Sequence, residues 1–475
     1  MTTSVEARPA VDTARARIRG RARRRPNAAA WWKDAVGAFT WVSMLVVTAL
    51  WVEGGGVQDL GGLAAGMTSL GRLTGLVASD LLLIQVLLMA RIPMVERSYG
   101  QDEVARRHRL VGFWSFNLLL AHIVLITLGY AGQYGNNPLA ELWEFVVDYP
   151  GMLLALAGTL LLVLVTVTSI RKARRKLRYE SWHLLHLYAY LGVGLALPHQ
   201  LWTGQEFLSS PVATLYWWSL WVAAAGAVLV WRVGMPVYRT LTHGLRVTQV
   251  VRETPDVVSV WMRGRNLHRL PVAAGQFFTW RFLTGPGWMR GHPYSLSAAP
   301  TGDTLRITVK DLGDGSRALA SLRPGTRVAI EGPFGRMHAG VRTRPKVTLL
   351  AGGIGVTPLR ALLEELPQAP GDVTLVYRAS SVEELVFRDE LDALAAQRGA
   401  RVLYAIGPRV AGRASWVPQQ AAHLSDAEAL RQIVPDVADH DVYLCGADAW
   451  MDAARRAALA AGVPAERIHL ERFSW

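Results

Sequence analysis

The feature that most constrains this chain is the crowding of its apolar residues into one stretch, from about residue 31 to residue 237, with ordinary soluble patterning after it. A helix needs about 20 apolar residues to cross a hydrocarbon core of about 30 Å. Six segments meet that need, at residues 34–52, 73–94, 110–130, 151–170, 183–202 and 212–235. In lipid the backbone must satisfy its own polar groups, so these segments predict a bundle of helices. The second carries Asp80, an acid that in such a place is paired, functional or close to the interface.

Charge orients the bundle. The formal net charge is +14. Its Arg and Lys residues gather beside apolar runs: at 15–25, at Arg106, Arg107 and Arg109, at 171–178, and at Arg232 and Arg239. The alternate loops, 53–68, 131–148 and 203–210, carry almost none. Positive loops stay on the cytoplasmic side, so both termini are expected there, in a multi-pass protein of the cell membrane. The same distribution makes membrane lipid the partner of the basic residues, and no nucleic-acid partner is expected. Residues 1–30 lack the apolar core of a signal peptide and are expected to be a disordered cytoplasmic tail. The single cysteine, Cys445, excludes an internal disulfide, a four-cysteine zinc site and an iron–sulfur cluster held by cysteines alone.

Two of the apolar segments carry histidines. His108 and His122 are 14 residues apart on the third, a rise of about 21 Å that returns to within roughly 40° of one face. His186 and His199 lie on the fifth. Both helices run outward, so His108 lies level with His186 and His122 with His199. Two such pairs at two depths are what two stacked b-type haems need as axial ligands. The alternative is a set of polar groups bonded inside the bundle. The 13 steps from His186 to His199 leave about 140° of rotation in an ideal helix, which Gly192, Gly194 and Pro198 would have to absorb. His183, beside the basic loop, reads as an interfacial histidine, with haem ligation as its alternative.

Beyond residue 239 short alternating segments at 245–251, 257–263, 276–282 and 305–310 predict a small antiparallel barrel. It contains His292-Pro293-Tyr294-Ser295-Leu296-Ser297. Tyr294 offers an aromatic face, and Ser295 and Ser297 offer donors, as a flavin requires. Gly313-Asp-Gly315-Ser316 opens a short helical stretch at 316–322, and Gly332-Pro-Phe-Gly335 reads as a tight turn. From residue 346 strands alternate with helices, predicting a mainly parallel α/β layer with strands at 347–350, 373–377, 401–405 and 442–445. The first ends in Ala351-Gly352-Gly353-Ile-Gly355-Val-Thr357-Pro358, glycines that let backbone approach a pyrophosphate at a helix start. This is not the GxGxxG fingerprint. Cys445-Gly446 stands at the carboxyl end of a strand, where such sheets bind ligands. Arg378 follows the next strand, where its fork suits a 2′-phosphate and favours NADPH over NADH.

In this order the motifs resemble the NADPH oxidase and ferric reductase superfamily, over about residue 34 to the C-terminus. The resemblance implies a fold class of a six-span membrane α-helical bundle at 31–238, an antiparallel β-barrel FAD domain at 239–340 and an α/β nucleotide-binding domain at 341–475. It implies that His108 and His186 hold an inner haem, and His122 and His199 an outer one. It places FAD on His292 through Ser297, with a further phosphate contact at Gly315 and Ser316. Gly352, Gly353, Gly355 and Thr357 would hold the pyrophosphate of NADPH, or of NADH, with Cys445 by the nicotinamide. A C-terminal aromatic covers the flavin in such reductases; Phe473 matches that position better than Trp475. The implied activity is electron transfer from cytoplasmic NAD(P)H through FAD and two b-type haems to an outer acceptor. O₂, giving superoxide, is the leading expectation. A ferric or cupric chelate and a separate extracytoplasmic protein are the alternatives.

Overall fold

The computed structural model describes residues 26–472 apart from Arg175, Arg178, Ser209 and Pro286. The Arg-rich run 15–25, Phe473 and Trp475 lie outside the described residues. The chain divides into two compact units, one built chiefly from residues 31–99 and 103–234, the other chiefly from 235–474.

The first unit is helical. Its long helices are α1 (Pro26–Glu53), α2 (Leu63–Met89), α3 (Gln101–Tyr134), α4 (Met152–Ser169), α5 (Tyr179–Trp202) and α6 (Pro211–Ala227). A π-helical stretch, Val228–Gly234, follows α6 and leads into α7 (Met235–His243). Among the described residues five helices are long and apolar enough to cross a membrane: Trp31–Glu53, Leu63–Met89, Glu103–Tyr134, Met152–Ser169 and Pro211–His243. The expected segment 183–202 forms the 24-residue α5, about 36 Å long at 1.5 Å per residue. Its three histidines and Gln200 lower its apolarity. Trp41, Leu63, Leu215 and Val222 point outward, as helices solvated by lipid require. Inward, Val47, Leu76, Leu83, Trp217 and Leu220 share one core.

Local signals set several helix ends and contacts. Pro211 stands in the first turn of α6, and the Ser210 hydroxyl accepts from Ala213 N at 3.2 Å, satisfying a donor that the helix start leaves bare. A Cβ at Gly158 of α4 would lie 2.7 Å from Gly192 O of α5, so the two helices meet backbone to backbone. Asp80 is fully buried. Its Oδ1 accepts from Ser43 Oγ of α1 and Tyr216 OH of α6, each at 2.6 Å, so the acid is paired inside the bundle rather than placed at its edge.

The second unit holds two antiparallel sheets and one parallel sheet. β1 (Arg246–Thr254), β2 (Val257–Arg263) and β5 (Thr304–Lys310) form one sheet, and β4 (His292–Ser295), β3 (Phe277–Phe282) and β6 (Val328–Phe334) the other. Bridges at Arg246–Arg327 and Leu296–Ile307 connect them. Val260, Met262, Phe278, Trp280, Leu296 and Ile307 fill a common core, as the period-two alternation of the strands dictates. Residues 332–335, expected as a tight turn, instead carry the end of β6, paired to β3 through Phe277 and Phe334. The expected helix 316–322 is one turn, Asp314–Arg317, followed by the 3₁₀ turn Ala318–Ser321.

The parallel sheet has the order β11-β10-β7-β8-β9, from Ile468–Leu470, Asp441–Cys445, Val347–Gly352, Val373–Ala379 and Arg401–Ile406. Helices α8 (Val356–Glu365) and α9 (Arg388–Arg398) supply Leu359, Leu362, Leu391 and Leu394 to a core with Val347 and Leu349. Helices α10 (Asp426–Ile433) and α11 (Asp448–Ala460) pack Leu430, Ala454 and Ala457 against Leu350, Val442 and Leu444. Neighbouring residues of β7 thus serve opposite faces, which is why Leu349 and Leu350 are both apolar and buried.

Candidate functional site

In the helical unit the four histidines meet in two pairs. The rings of His108 and His186 have centroids 5.9 Å apart, and those of His122 and His199 6.4 Å apart. Two metal–imidazole bonds of about 2 Å, with the half-width of each ring added, give a centroid separation on the order of 6 Å. Both pairs have that spacing. The second nitrogen of three rings is already engaged: His122 Nδ1 lies 2.8 Å from Gly71 O, His199 Nδ1 2.5 Å from Thr203 Oγ1, and His186 Nδ1 3.2 Å from Ser169 Oγ. Such partners orient an imidazole and leave Nε2 as the nitrogen available to a metal. His108 Nδ1 is buried without a well-formed hydrogen bond. The donor set therefore fits two axially ligated haems.

Close backbone approach makes the outer pair. A Cβ at Gly75 of α2 would lie 2.5 Å from His122 Nδ1, so only glycine admits the ring there. A Cβ at Gly151 would lie 2.9 Å from His199 N. The 13-residue spacing on α5 does not separate the rings. Pro198, inside the helix and next to His199, removes an N–H and disturbs the last turn. His183 has Trp182 as a ring neighbour, with centroids 6.5 Å apart.

In the second unit His292 and Tyr294 project from β4 with their rings stacked, centroids 5.9 Å apart and 12° between planes. Burial raises the Tyr294 phenol above its ordinary range. Trp280 Nε1 donates to Tyr294 O at 2.8 Å, fixing the strand. Ser295 Oγ is buried with no partner among the described residues; an orphaned buried hydroxyl of this kind fits a bound polar group. A Cβ at Gly315 would lie 2.6 Å from His292 Cε1, so the Gly313–Ser316 turn comes against the same motif. Pro293 follows in β4, while Leu296 is core. Ser297 is used otherwise: its Oγ accepts from Thr308 Oγ1 at 2.7 Å and Arg306 Nε at 3.1 Å. Ser316 Oγ accepts from Leu312 N and donates to Gly313 O, both at 2.8 Å.

The third group lies at the carboxyl ends of β7 and β10. Gly352 ends β7, a 3₁₀ turn covers Gly353–Gly355, and α8 starts at Val356. Gly353 has φ +55° with open space where a Cβ would point, so its backbone is approachable. A Cβ at Gly355 would collide with the backbone of Cys445, so the glycine loop and Cys445 meet. Burial, with Glu471 adding to it, pushes the Cys445 thiol up to about 12, leaving it a neutral S–H at pH 7. Thr357 Oγ1 donates to Ile354 O at 3.0 Å. Arg378 is buried; its Nη1 donates to Ala379 O and its Nη2 to Pro408 O at 3.0 Å. Burial lowers its pKa, with Arg409 adding to the effect.

Two residues here escaped the sequence reading. Trp450 of α11 covers the loop; a Cβ at Gly352 or Gly446 would lie 2.9 or 2.8 Å from its ring. Glu471 accepts from Arg336 N at 2.5 Å. Its place beside the Arg-Phe of the C-terminus was the available signal.

Comparison with known proteins matches residues 74–197 to the ferric reductase like transmembrane component family and residues 349–456 to the oxidoreductase NAD-binding domain family. The first match contains His108, His122 and His186. The chain is 32% identical over 210 residues to the ferredoxin reductase component of a 3-ketosteroid-9-alpha-monooxygenase from Mycobacterium tuberculosis, covering 43% of this chain and 56% of that protein. It is 32% identical over 200 residues to ferredoxin–NADP reductase B of Sorangium cellulosum, covering 40% and 80%. The FAD/NAD-binding domain of a nitric oxide dioxygenase from Vibrio cholerae is 27% identical, with 49% of this chain and 99% of that chain covered and a TM-score of 0.38. The chain thus spans about half the length of the mycobacterial relative.

These matches mark an electron-transfer oxidoreductase with a transmembrane component and an FAD- and NAD(P)-binding module. The chain belongs with the ferredoxin–NADP reductases over its second unit and carries before it a segment that matches the ferric reductase like transmembrane component.

Proposed function

We propose that this protein carries electrons from cytoplasmic NADPH, with NADH as the alternative donor, across the cell membrane to O₂, producing superoxide. The observation that carries the reading is the pair of histidine pairs, 5.9 and 6.4 Å between centroids, set 14 residues apart along α3. When bound, FAD would accept hydride, and two b-type haems would carry its electrons singly through the bilayer.

The residues divide the work. His108 and His186 would hold the inner haem, and His122 and His199 the outer. Tyr294 and Ser295 would bind the flavin, with Gly315 and Ser316 at its phosphates. The backbone at Gly352, Gly353 and Gly355 would take the pyrophosphate of the nicotinamide cofactor at the start of α8, with Thr357 fixing that turn. Arg378 adds positive charge at the end of β8, which favours NADPH. Cys445, neutral and buried, would border the nicotinamide without acting as a base. The aromatic at Phe473, with Trp475 as the alternative, would cover the flavin.

Six helices would cross the bilayer, with α5 as the fifth span and both termini inside; the Arg-rich loops support this orientation. His122 and His199 would hold the outer haem from both sides, and the electron it would supply is available to an acceptor on the outer side. Gln200, next to His199, has a buried amide oxygen with no partner among the described residues and bonds Ser79 through Nε2 at 2.9 Å. It supplies the polar anchor that a small acceptor such as O₂ needs. Vesicles with the nucleotide domain outward test this. NADPH added outside should generate superoxide in the lumen. Lumenal reduction of a ferric chelate without superoxide would shift the acceptor to metal. Reduction of neither would point to a protein acceptor.

A further inference from the structure

Arg306 occupies a place on β5 where an apolar residue would ordinarily pack, with only 2% of its surface exposed. Its guanidinium lies over the ring of Trp261 at 5.0 Å and that of Phe387 at 4.6 Å. Nε donates to Ser297 Oγ at 3.1 Å, and Nη2 to Ser297 O at 2.7 Å. The same fork meets both carboxylate oxygens of Glu390, at 2.8 and 3.0 Å.

Trp261 and Ser297 belong to the antiparallel sheets, Phe387 and Glu390 to the nucleotide-binding layer. Glu390 Oε2 also accepts from Arg360 Nε at 2.8 Å. Arg360 lies on α8, the helix that opens at the glycine loop, and it pairs with Glu364. Glu364 Oε2 in turn accepts from Ala299 N at 2.7 Å. The segment that continues β4 is therefore tied at both Ser297 and Ala299 to the helix of the phosphate loop. Phe387 caps α9 with φ +66°, a conformation that a bulky residue rarely adopts and that marks a functional constraint.

A buried ion pair is a poor source of stability, because apolar residues fill the same volume without the desolvation cost. A bidentate fork stacked between two rings supplies orientation instead. Transfer between two bound groups depends steeply on alignment, and a misplacement of about 1 Å costs on the order of a hundredfold.

We propose that Arg306 is a positioning residue for hydride transfer: through Glu390 it sets the register between the flavin-binding strand and the nucleotide-binding loop. This rests on the reading that NADPH reduces FAD within this unit. The test is anaerobic stopped-flow reduction of the flavin in the full-length, cofactor-loaded protein with Arg306→Lys, Glu390→Gln and the double variant. Each single variant should lower the limiting rate at saturating NADPH at least tenfold. The apparent Kd for NADPH should stay within twofold and FAD content should be unchanged, while the broken buried pair lowers the melting temperature. The double variant should be no slower than the worse single one, because both break one unit. Limiting rates within twofold of wild type, or rate losses matched by lost FAD, would overturn the proposal and leave the network as packing. If Arg306→Lys does not fold, the near-isosteric Glu390→Gln decides alone. A wild-type flavin that NADPH does not reduce would remove the functional reading, and this inference with it.

Discussion

At the scale of single residues, use is decided by which atoms a side chain has left over. His122 spends Nδ1 on Gly71 O and keeps Nε2. His122→Leu should therefore halve the haem content per chain while NADPH still reduces the flavin at the wild-type rate; two haems in that variant would overturn the ligand assignment. Cys445 is the opposite case, a residue shielded from its own chemistry. With its pKa pushed up to about 12, it should resist iodoacetamide at pH 8 in the folded protein and react on unfolding. An ordinary thiol titrates near 8.5, so the native state holds this proton more tightly. The group then lowers stability as pH rises above about 8.5, at up to about 1.4 kcal/mol per pH unit. Cys445→Ala should remove that part of the alkaline loss, measured as the difference in urea midpoint between pH 8 and pH 10. Arg378 shows what residue type alone leaves out. A strand-end arginine suits a 2′-phosphate, and here its guanidinium also bonds Ala379 O and Pro408 O, carbonyls that nothing in its local sequence announces.

At the scale of elements, close approach is the recurring device. Gly75→Val should displace His122 and lower outer-haem occupancy while the inner haem stays, read as a haem-to-protein ratio falling from two toward one; an unchanged ratio would show that the helices can give. The Asp80 cluster ties α1, α2 and α6. Tyr216→Phe removes one of two donors to Oδ1 and should cost about 1–3 kcal/mol, seen as a lower melting temperature in detergent with haem spectra unchanged. Strand β2 and the apolar β7, β8 and β10 were legible because alternation or continuous apolarity reports burial directly. Strand β6 was not, since Gly332 and Pro333 are turn residues everywhere except at such a strand end. The depth of the four histidines was legible because rise is linear in residue number. Their rotation around α5 was not, because 13 ideal steps leave about 140° between His186 and His199.

At the scale of the whole molecule, the division into an apolar helical half and a soluble half was plain in the sequence, since a membrane and water select different residues. The span count was less plain. Segment 183–202 carries three histidines at the cost of its own apolarity, so composition weakens where the proposed chemistry is. The contact between β5 and α9 required Arg306 and Glu390 to be seen together, 84 residues apart. One continuous electron path would run from NADPH to the outer haem. An anaerobic absorbance titration of the FAD-loaded protein in detergent with NADPH tests it. The flavin should bleach and a reduced haem band with two-histidine ligation should rise, equivalent to two haems per chain, and air should restore the oxidised spectrum. A flavin that bleaches while the haem band stays oxidised, or a protein that holds no haem, would contradict it.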